Sequence, residues 1–322
     1  MKRNNSQFSI LNSQFSTVNC QLIGKRFGTT DALKNISFEV SKGEIFGLIG
    51  PDGAGKTTLF RILTSLLLAD SGTAIVNGLD VVKDYAELRK HIGYMPGRFS
   101  LYQDLSVEEN LKFYATIFNT TIQENYHLIK DIYQHIEPFK NRRAGKLSGG
   151  MKQKLALSCA LIHKPAVLFL DEPTTGVDPV SRKEFWEMLR RLKEDGITIV
   201  VSTPYMDEAN LCDRIALIQN GRIFSIDTPE NIVKQFRKKL YKVESDNNYL
   251  LLEKLRKNPD VESVVMFGDN LHVTFNGEVT IDNGQLTIDN GNNNSQFSTL
   301  NSQFKEIQPS VEDCFIAFNI NK

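Results

Sequence analysis

One stretch decides the fold: Gly50-Pro51-Asp52-Gly53-Ala54-Gly55-Lys56-Thr57. It fits the pattern G-x-x-x-x-G-K-[ST] and lies between a strand candidate at 45–49 and a helix signal that begins at Thr58. Glycines let the backbone curl, so that successive N–H groups and the helix N-terminus face phosphate oxygens. Lys56 would neutralise the β- and γ-phosphates, and the Thr57 hydroxyl would bind Mg²⁺. The pattern predicts a nucleotide-binding loop that includes Thr58, rather than a plain glycine-rich turn.

A second strand candidate ends in two carboxylates. The apolar run 167–170 is followed directly by Asp171 and Glu172. In nucleotide hydrolases such a pair holds Mg²⁺ and places a base near the γ-phosphate. Asp171 would bind the metal through water, and Glu172 would polarise the attacking water. The acidic pair could instead be a helix cap or a solvated turn, but a phosphate loop in the same chain argues against this alternative.

The middle of the chain alternates short apolar runs with amphipathic helical patterns. This alternation extends from about residue 18 to 226 and is typical of an α/β fold. Apolar residues at helical spacing predict a helix over 182–194, with Trp186 as a packing residue. In the segment 227–230 a capping residue precedes a proline, which predicts a new helix. We therefore expect a nucleotide-binding domain over 18–227.

The remaining residues, 228–322, predict a small α+β accessory domain. Alternating apolar residues indicate a hairpin over 261–275 that turns at 268–270, and an apolar pattern near 310–320 predicts a last helix.

Two short sequence motifs recur near the ends of the chain. Asn-Ser-Gln-Phe occurs four times, at 5–8, 12–15, 294–297 and 301–304. Thr-Ile-Asp-Asn-Gly occurs twice, at 280–284 and 287–291. Two copies rich in Asn, Ser and Gly cannot sustain a coiled coil, so we predict disordered low-complexity segments at 1–17 and about 280–304.

The overall composition is that of an ordinary globular protein. The 322 residues include 41% hydrophobic residues, which is ample for a packed core. Lys+Arg 38 balance Asp+Glu 38, so no net charge attracts nucleic acid, and no nucleic-acid partner is expected.

Four cysteines lie far apart and predict reduced thiols rather than a zinc site: Cys20, Cys159, Cys212 and Cys314. No segment approaches 18 apolar residues, so a membrane would be reached through a partner.

A third motif opens a helix pattern after residue 146 and identifies a family. It is Leu147-Ser148-Gly149-Gly150-Met151, and it resembles the Leu-Ser-Gly-Gly-Gln signature of ATP-binding cassette (ABC) ATPases. The phrases 176–179 and 206–209 resemble two further motifs of that family, in the expected order. The resemblance covers about two thirds of the chain, and Met151 is the one departure within the signature.

The resemblance implies a fold, two cofactors and a dimer. The fold would be the P-loop NTPase of the ABC ATPase type, with a RecA-like core, an antiparallel β subdomain and a helical subdomain. ATP and Mg²⁺ would be the cofactors, and Phe27 would stack on adenine. The signature would act in trans, on nucleotide held by a second cassette subunit, and Asp178 would belong to a loop that contacts this second subunit.

Two positions depart from the family pattern in ways that affect catalysis. Gly97 stands where the family usually has a Gln that reaches Mg²⁺ and the attacking water. Pro204 stands where the family usually has a His that contacts the γ-phosphate. Neither residue offers a side-chain donor, and Gln103 and His163 are not placed by sequence to replace them. We therefore expect a degenerate catalytic site in a chain that still binds ATP.

The phrases 44–51 and 309–317 resemble the drug- and antibiotic-export branch of the family. Subunits of that branch work with separately encoded permeases, which implies a multidrug exporter whose ATP-binding subunit is cytoplasmic and peripheral on the inner face of the cell membrane. The stretch 98–103 would meet the permease through Phe99, Leu101 and Tyr102, unless these residues belong to the core of the helical subdomain. The alternative is a regulatory or non-transport ABC-type protein with little or no hydrolysis, which Gly97 and Pro204 favour.

Overall fold

A computed structural model describes residues 16–282, 285–289, 294–297 and 302–320 of the chain. The chain divides between Ile232 and Val233 into two compact units. The boundary predicted at 227/228 lies five residues before this division.

The first unit contains an antiparallel sheet of four strands. The strands are β1 (Ser16–Phe27), β2 (Thr30–Ser41), β4 (Ser71–Val76) and β5 (Leu79–Asp80), in the order β2-β1-β4-β5. Buried residues alternate along β1 and β2, because one face packs on the core and the other meets solvent. The long β1–β2 hairpin brings its turn, after Phe27, to one end of this sheet.

A second sheet forms the centre of the first unit. Its strands are β3 (Ile45–Ile49), β6 (Ile92–Met95), β7 (Val167–Asp171), β8 (Thr198–Thr203), β9 (Arg214–Gln219) and β10 (Arg222–Asp227). The order is β10-β9-β3-β8-β7-β6, and only the edge strand β10 runs antiparallel to its neighbour. Every residue of β3, β7 and β8 is buried, which explains the short apolar runs 45–49, 167–170 and 199–201 within them.

Within the described residues before Thr228, six α-helices accompany the two sheets. They are α1 (Lys56–Leu63), α2 (Tyr85–His91), α3 (Val107–Ile117), α4 (Ile122–Tyr133), α5 (Gly149–Leu161) and α6 (Pro179–Glu194). Helices α3, α4 and α5 pack together as a helical region, and α3 and α4 each begin with a capping box. The predicted helix over 182–194 is confirmed, but it begins at Pro179, because Asp178 caps it. Trp186 is a packing residue, since it is 1% exposed.

The second unit begins within α7 (Pro229–Lys234) and is built on a sheet. Its strands β11 (Leu240–Ser245), β12 (Val261–Phe267), β13 (Asn270–Phe275) and β17 (Ser302–Ile307) pair antiparallel in the order β12-β13-β11-β17. Helix α8 (Asn248–Arg256) packs on one face, where Val243, Leu255 and Val273 are fully buried. The predicted hairpin over 261–275 is confirmed, and so is the last helix, α9 (Val311–Ile320).

The prediction of disorder is wrong for the described part of 280–304. These residues contribute to β14 (Glu278–Asp282), β15 (Gln285–Asp289), β16 (Asn294–Phe297) and the start of β17. The repeated Thr-Ile-Asp-Asn-Gly word alternates apolar and polar residues before an Asn-Gly turn signal, and this is a hairpin pattern. Ile288 is fully buried in the core of the second unit. Residues 16 and 17 belong to β1, while the predicted disorder of 1–15 lies outside the described residues.

All four cysteines are buried thiols that form no disulfide. Burial raises the pKa of each thiol well above its ordinary value, to about 12 for Cys314. Such thiols are poor nucleophiles and fit the predicted reduced state. Within the part of the chain that the structure describes, no helix is long and apolar enough to span a bilayer.

Candidate functional site

Four neighbouring parallel strands bring the predicted site residues to one edge of the central sheet. The phosphate loop follows β3, and Asp171 and Glu172 lie at the end of β7. Pro204 follows β8, between these two strands, and Gly97 comes two residues after the outer strand β6. Because parallel strands share their carboxyl ends, residues up to 154 positions apart in sequence converge here.

The backbone of the phosphate loop is packed so closely that glycine is required. A Cβ atom on Gly50 would lie 2.1 Å from the carbonyl oxygen of Ile218. Gly55 has φ of 107°, and its Cβ would lie 2.6 Å from the carbonyl oxygen of Ala32. Helix α1 begins directly afterwards, at Lys56, so its free N–H groups open onto the loop. The loop has the shape that phosphate binding needs.

Lys56 fixes a positive charge inside this loop. Its side chain is 3% exposed, and its Nζ donates to the carbonyl oxygens of Gly50 at 2.7 Å and Pro51 at 3.0 Å. The same Nζ lies 3.1 Å from a carboxylate oxygen of Glu172. The cation that would neutralise phosphate therefore also contacts the carboxylate that would polarise water.

Glu172 is held by its backbone as well as by Lys56. Its φ of 49° lies in the left-handed region, which is unusual for a residue with a side chain and is often found at functional sites. Its N–H donates to the carbonyl oxygen of Ser202 at 3.0 Å and to the Ser202 hydroxyl at 3.1 Å. Strand β8 thus fixes the backbone of Glu172 beside the loop.

Asp171 and Thr57 offer the oxygen ligands that Mg²⁺ prefers. Asp171 is 2% exposed, and its Oδ1 accepts a hydrogen bond from the Ser202 hydroxyl at 2.6 Å. Thr57 lies in the first turn of α1 and lines the cavity described below. A hard cation with few protein ligands, several waters and phosphate oxygens fits this set. Asp171 and Thr57 would hold the ion, and Mg²⁺ would supply positive charge that neutralises phosphate there.

A cavity of about 530 Å³ opens over the phosphate loop. Its lining includes Lys56, Thr57 and Thr58 from α1, together with Glu172 and residues from two regions outside the predicted set, 30–34 and 220–221. The residues missed by sequence reasoning are Thr30, Asp31, Ala32, Lys34, Asn220 and Gly221. The Gly221 N–H donates to the carbonyl oxygen of Ala54 at 3.1 Å, so the β9–β10 turn supports the loop. The Asn220-Gly221 pair was a hairpin signal in the sequence, but nothing there linked it to the loop.

Gly97 lies against the acidic pair. A Cβ atom built on Gly97 would be 3.1 Å from the carbonyl oxygen of Asp171 and 3.8 Å from the Cβ of Glu172. A longer side chain at this position would begin beside both carboxylates, whereas glycine supplies no polar group. Pro204 directly follows Thr203, whose carbonyl oxygen accepts the Gly50 N–H at 3.3 Å. Gly97 and Pro204 therefore lie next to the acidic pair and the phosphate loop, although neither lines the cavity. Gln103 and His163 do not line it either.

A buried carboxylate, Glu208, connects the loops that follow β7 and β8. It is 1% exposed and accepts hydrogen bonds from the hydroxyls of Thr174 at 2.7 Å and Thr203 at 2.6 Å. The Nε of Arg182, in α6, lies 3.7 Å away. Glu208 thereby ties together the segments on both sides of Pro204 and the start of α6. The segment 206–209, which contains Glu208, was recognised in the sequence as similar to a family motif. No local sequence pattern, however, indicates that this carboxylate is buried.

The signature residues open helix α5 toward solvent. Ser148 caps the helix, and its hydroxyl accepts the Met151 N–H at 3.4 Å. Ser148 and Gly149 are exposed, Gly150 is half-buried and Leu147 is buried. Unpaired N–H groups at this end favour an anion.

The signature also contacts the predicted dimer loop. A Cβ atom on Gly149 would lie 3.2 Å from the carbonyl oxygen of Gly176. Asp178, exposed at the end of this loop, caps α6, and the hydrogen bond from the Ser181 N–H lowers the pKa of its carboxyl.

Phe27 lies at the end of β1 and is 50% exposed. It pairs with Thr30, which lines the cavity over the loop, but Phe27 is not itself among the lining residues that the structure describes. Lys25 Nζ lies 5.5 Å from the centroid of its ring. Stacking of Phe27 on adenine stays a prediction.

Comparisons with known proteins identify the family of this chain. A family model described as ABC transporter matches residues 33–175. The Nod factor export ATP-binding protein I of Burkholderia lata is 39% identical over 215 residues, which are 66% of this chain and 71% of that protein. The chain belongs to the ABC transporter family. This ABC protein is also 40% identical over 222 residues, 68% of its length, to the probable multidrug ABC transporter ATP-binding protein YbhF of Escherichia coli K12. That match spans 38% of YbhF.

A solved structure confirms the fold of the ABC protein. The dimeric structure of an ATP-binding cassette in a post-hydrolysis state, bound to ADP and Pi, has a TM-score of 0.60 and 25% identity. The match covers 66% of this chain and 98% of the chain in the solved structure. The predicted ABC ATPase fold, with its P-loop and antiparallel β subdomain, is therefore confirmed.

Proposed function

We propose that this ABC protein is the ATP-binding subunit of an export transporter, in which ATP-driven closure of a cassette dimer moves a separate permease. The observation that carries the proposal is the convergence of the phosphate loop, Asp171 and Glu172 at one sheet edge, with the signature open to solvent. The name of one relative, the Nod factor export protein, supports the direction, and the other relative is a probable multidrug ABC transporter protein. The subunit would lie in the cytoplasm, on the inner face of the cell membrane.

A groove in the first unit supports a permease as partner. It has a volume of about 230 Å³ and lies where β6 meets the helical region; its lining includes Leu66, Tyr94, Ser100, Leu101, Tyr114 and Phe118. Within the stretch 98–103, Tyr102 is 52% exposed, Phe99 is half-buried and Leu101 is buried. Leu101 therefore belongs to the core, and Tyr102, which faces solvent, is the residue of this stretch that we propose meets the permease.

Filling the groove should separate permease binding from ATP binding. Ser100 is exposed and lines the groove, so Ser100→Trp would place a bulky ring in it. We expect the co-purified integral-membrane protein to fall about tenfold or more, because a clash on a packed surface costs about 1–3 kcal/mol. ATP affinity should not change. Gln123→Trp, on the exposed side of α4, is the control, and equal recovery from both variants would contradict the groove as docking site.

We further propose that the chain's own site hydrolyses ATP slowly and that it works in an asymmetric pair. Gly97 and Pro204 remove two polar side chains from the site, whereas Lys56, Thr57 and the acidic pair remain in place. Loss of one positioned donor typically lowers the rate about 10²–10³-fold, and losses within one site are not additive. ATP binding and the trans action of the signature would be retained.

ATP turnover tests this proposal. The isolated protein should hydrolyse ATP about 10²-fold or more slowly than its pair with a second cassette that carries the Gln and His. Glu172→Gln in this chain should leave the turnover of the pair nearly unchanged. Rapid hydrolysis by the isolated protein, abolished by Glu172→Gln, would refute the asymmetric pair.

Gly97 and Pro204 also favour a second function, a regulatory ABC-type protein that binds ATP without driving transport. Co-purification decides between the two functions, because only the transporter subunit should bring down an integral-membrane protein from detergent extracts.

A further inference from the structure

The second unit contains a cavity that the proposed transport cycle does not use. It has a volume of about 220 Å³ and lies on the sheet face opposite α8. Side chains alternate along a strand, so Val273 packs under α8 while His272 and Thr274 face the cavity. Engineered apolar cavities of about 150 Å³ hold a benzene molecule, so this cavity has room for a small ring with a polar substituent.

Most of the wall is apolar. Helix α9 covers the cavity with Ile316, Ala317 and Phe318, and the sheet contributes Leu240 and Val265. An apolar wall with a few polar groups is the usual construction of a small-molecule site, because the wall binds the ligand body and the polar groups orient it.

Two pairs of polar side chains that line the cavity are already bonded to each other. The hydroxyls of Ser263 and Thr274 lie 2.8 Å apart and bond to each other. The Nδ1 of His272 lies 2.7 Å from Asp313 Oδ1, and the ring is 13% exposed. Burial raises the pKa of Asp313, but hydrogen bonds from His272 and Ser310 outweigh this effect and hold the pKa below its ordinary value. The His272 ring lines the cavity and stacks on Phe267, with 4.1 Å between the ring centroids.

The charges around the cavity favour an anion. Lys238 forms an ion pair with Glu262, and the Asp313 carboxylate is bonded to His272, so both acidic groups are satisfied. Arg237 also lines the cavity and is exposed, and no carboxylate of the described residues pairs with it. Its guanidinium is a fork of donors that suits a carboxylate.

We propose that this cavity is a binding site for a small organic acid whose ring or branched body fills the space under α9. The carboxylate pairs with Arg237, and the body contacts Val265, Ile316 and Ala317. The site lies within the second unit and shares no lining residue with the nucleotide cavity.

Benzoate and benzamide, which have nearly the same shape, test the proposal on the full chain. Titrations are followed by NMR with saturating ADP, so that the phosphate loop is occupied. We expect benzoate to bind about tenfold more tightly than benzamide, because a hydrogen bond to a charged group is stronger than a neutral one. Arg237→Gln should remove this difference, and Ala317→Trp should abolish binding of both compounds.

Lys239→Gln is the matched control, because Lys239 is an exposed neighbour that does not line the cavity. It should retain the tenfold preference. The proposal is overturned if neither compound binds, if the two bind equally to the unmodified protein, or if Lys239→Gln acts as Arg237→Gln does. Arg237→Gln changes a surface residue, so this test does not depend on whether Ala317→Trp folds.

Discussion

Ser148→Asp in this chain is expected to reduce ATP turnover by the mixed cassette pair about 10²-fold or more, while ATP binding at the chain's own phosphate loop is unchanged. Ser148 caps α5, and the N–H groups at this helix end are exposed to solvent. In the proposed pair these groups contact the γ-phosphate held by the second cassette. A carboxylate placed there repels the phosphate that the helix end would attract.

The substitution is chosen because it should not disturb the fold. Asp and Asn are as good as Ser at the cap of a helix, and Asp is further favoured by the helix dipole. Ser148→Asn is therefore the control, since it matches Asp in shape and lacks the charge. Steady-state turnover of the pair and the affinity of each variant for ATP would be measured side by side. Equal turnover in the Asp and Asn variants would show that the signature of this chain does not serve the second site.

The nucleotide site was largely predictable because its parts are local. The phosphate loop needs glycines at Gly50 and Gly55, and the acidic pair ends an apolar strand, so each part leaves a short pattern. Their meeting at one edge follows from the rule that parallel strands share their carboxyl ends. Gly97 and Pro204 were noticed only through the family resemblance, since nothing in their own neighbourhood marks a missing side chain.

The supporting residues could not be predicted, because their contacts join distant parts of the chain. Glu208 bonds to Thr174, 34 residues away, and Gly221 supports a loop formed by residues 50–57. A buried carboxylate and a turn residue look the same in sequence whether or not they support a site. Only the packing of β8, β9 and the loops after them gives them this role.

The repeated sequence motifs in the second unit show a different limit of prediction from sequence. Composition predicted disorder for 280–304, because Asn, Ser and Gly dominate the segment. The alternation of Val279 and Ile281, and of Leu286 and Ile288, was the better guide, since period-two spacing beside Asn-Gly predicts hairpin strands. Ile288 is buried against the sheet core, which stabilises strands that composition alone would not favour.

Lys56→Met is expected to weaken ATP binding by about 10- to 10²-fold, because a hydrogen bond to a charged group contributes about 1.5–3 kcal/mol. Methionine keeps most of the volume of the buried lysine side chain and removes its charge. Isothermal titration with ATP and Mg²⁺ gives the dissociation constant. Glu172→Gln is the matched control, because it breaks the same 3.1 Å ion pair from the other side.

The two substitutions should affect ATP affinity differently. Losing the ion pair affects stability in both, but only Lys56→Met removes the cation that contacts phosphate. Glu172 is 22% exposed at the cavity wall, and its negative charge repels the γ-phosphate. Glu172→Gln should therefore bind ATP as tightly as the unmodified protein or more tightly. If both variants lost affinity equally, the ion pair itself would be what shapes the loop, and Lys56 would not act as the phosphate ligand.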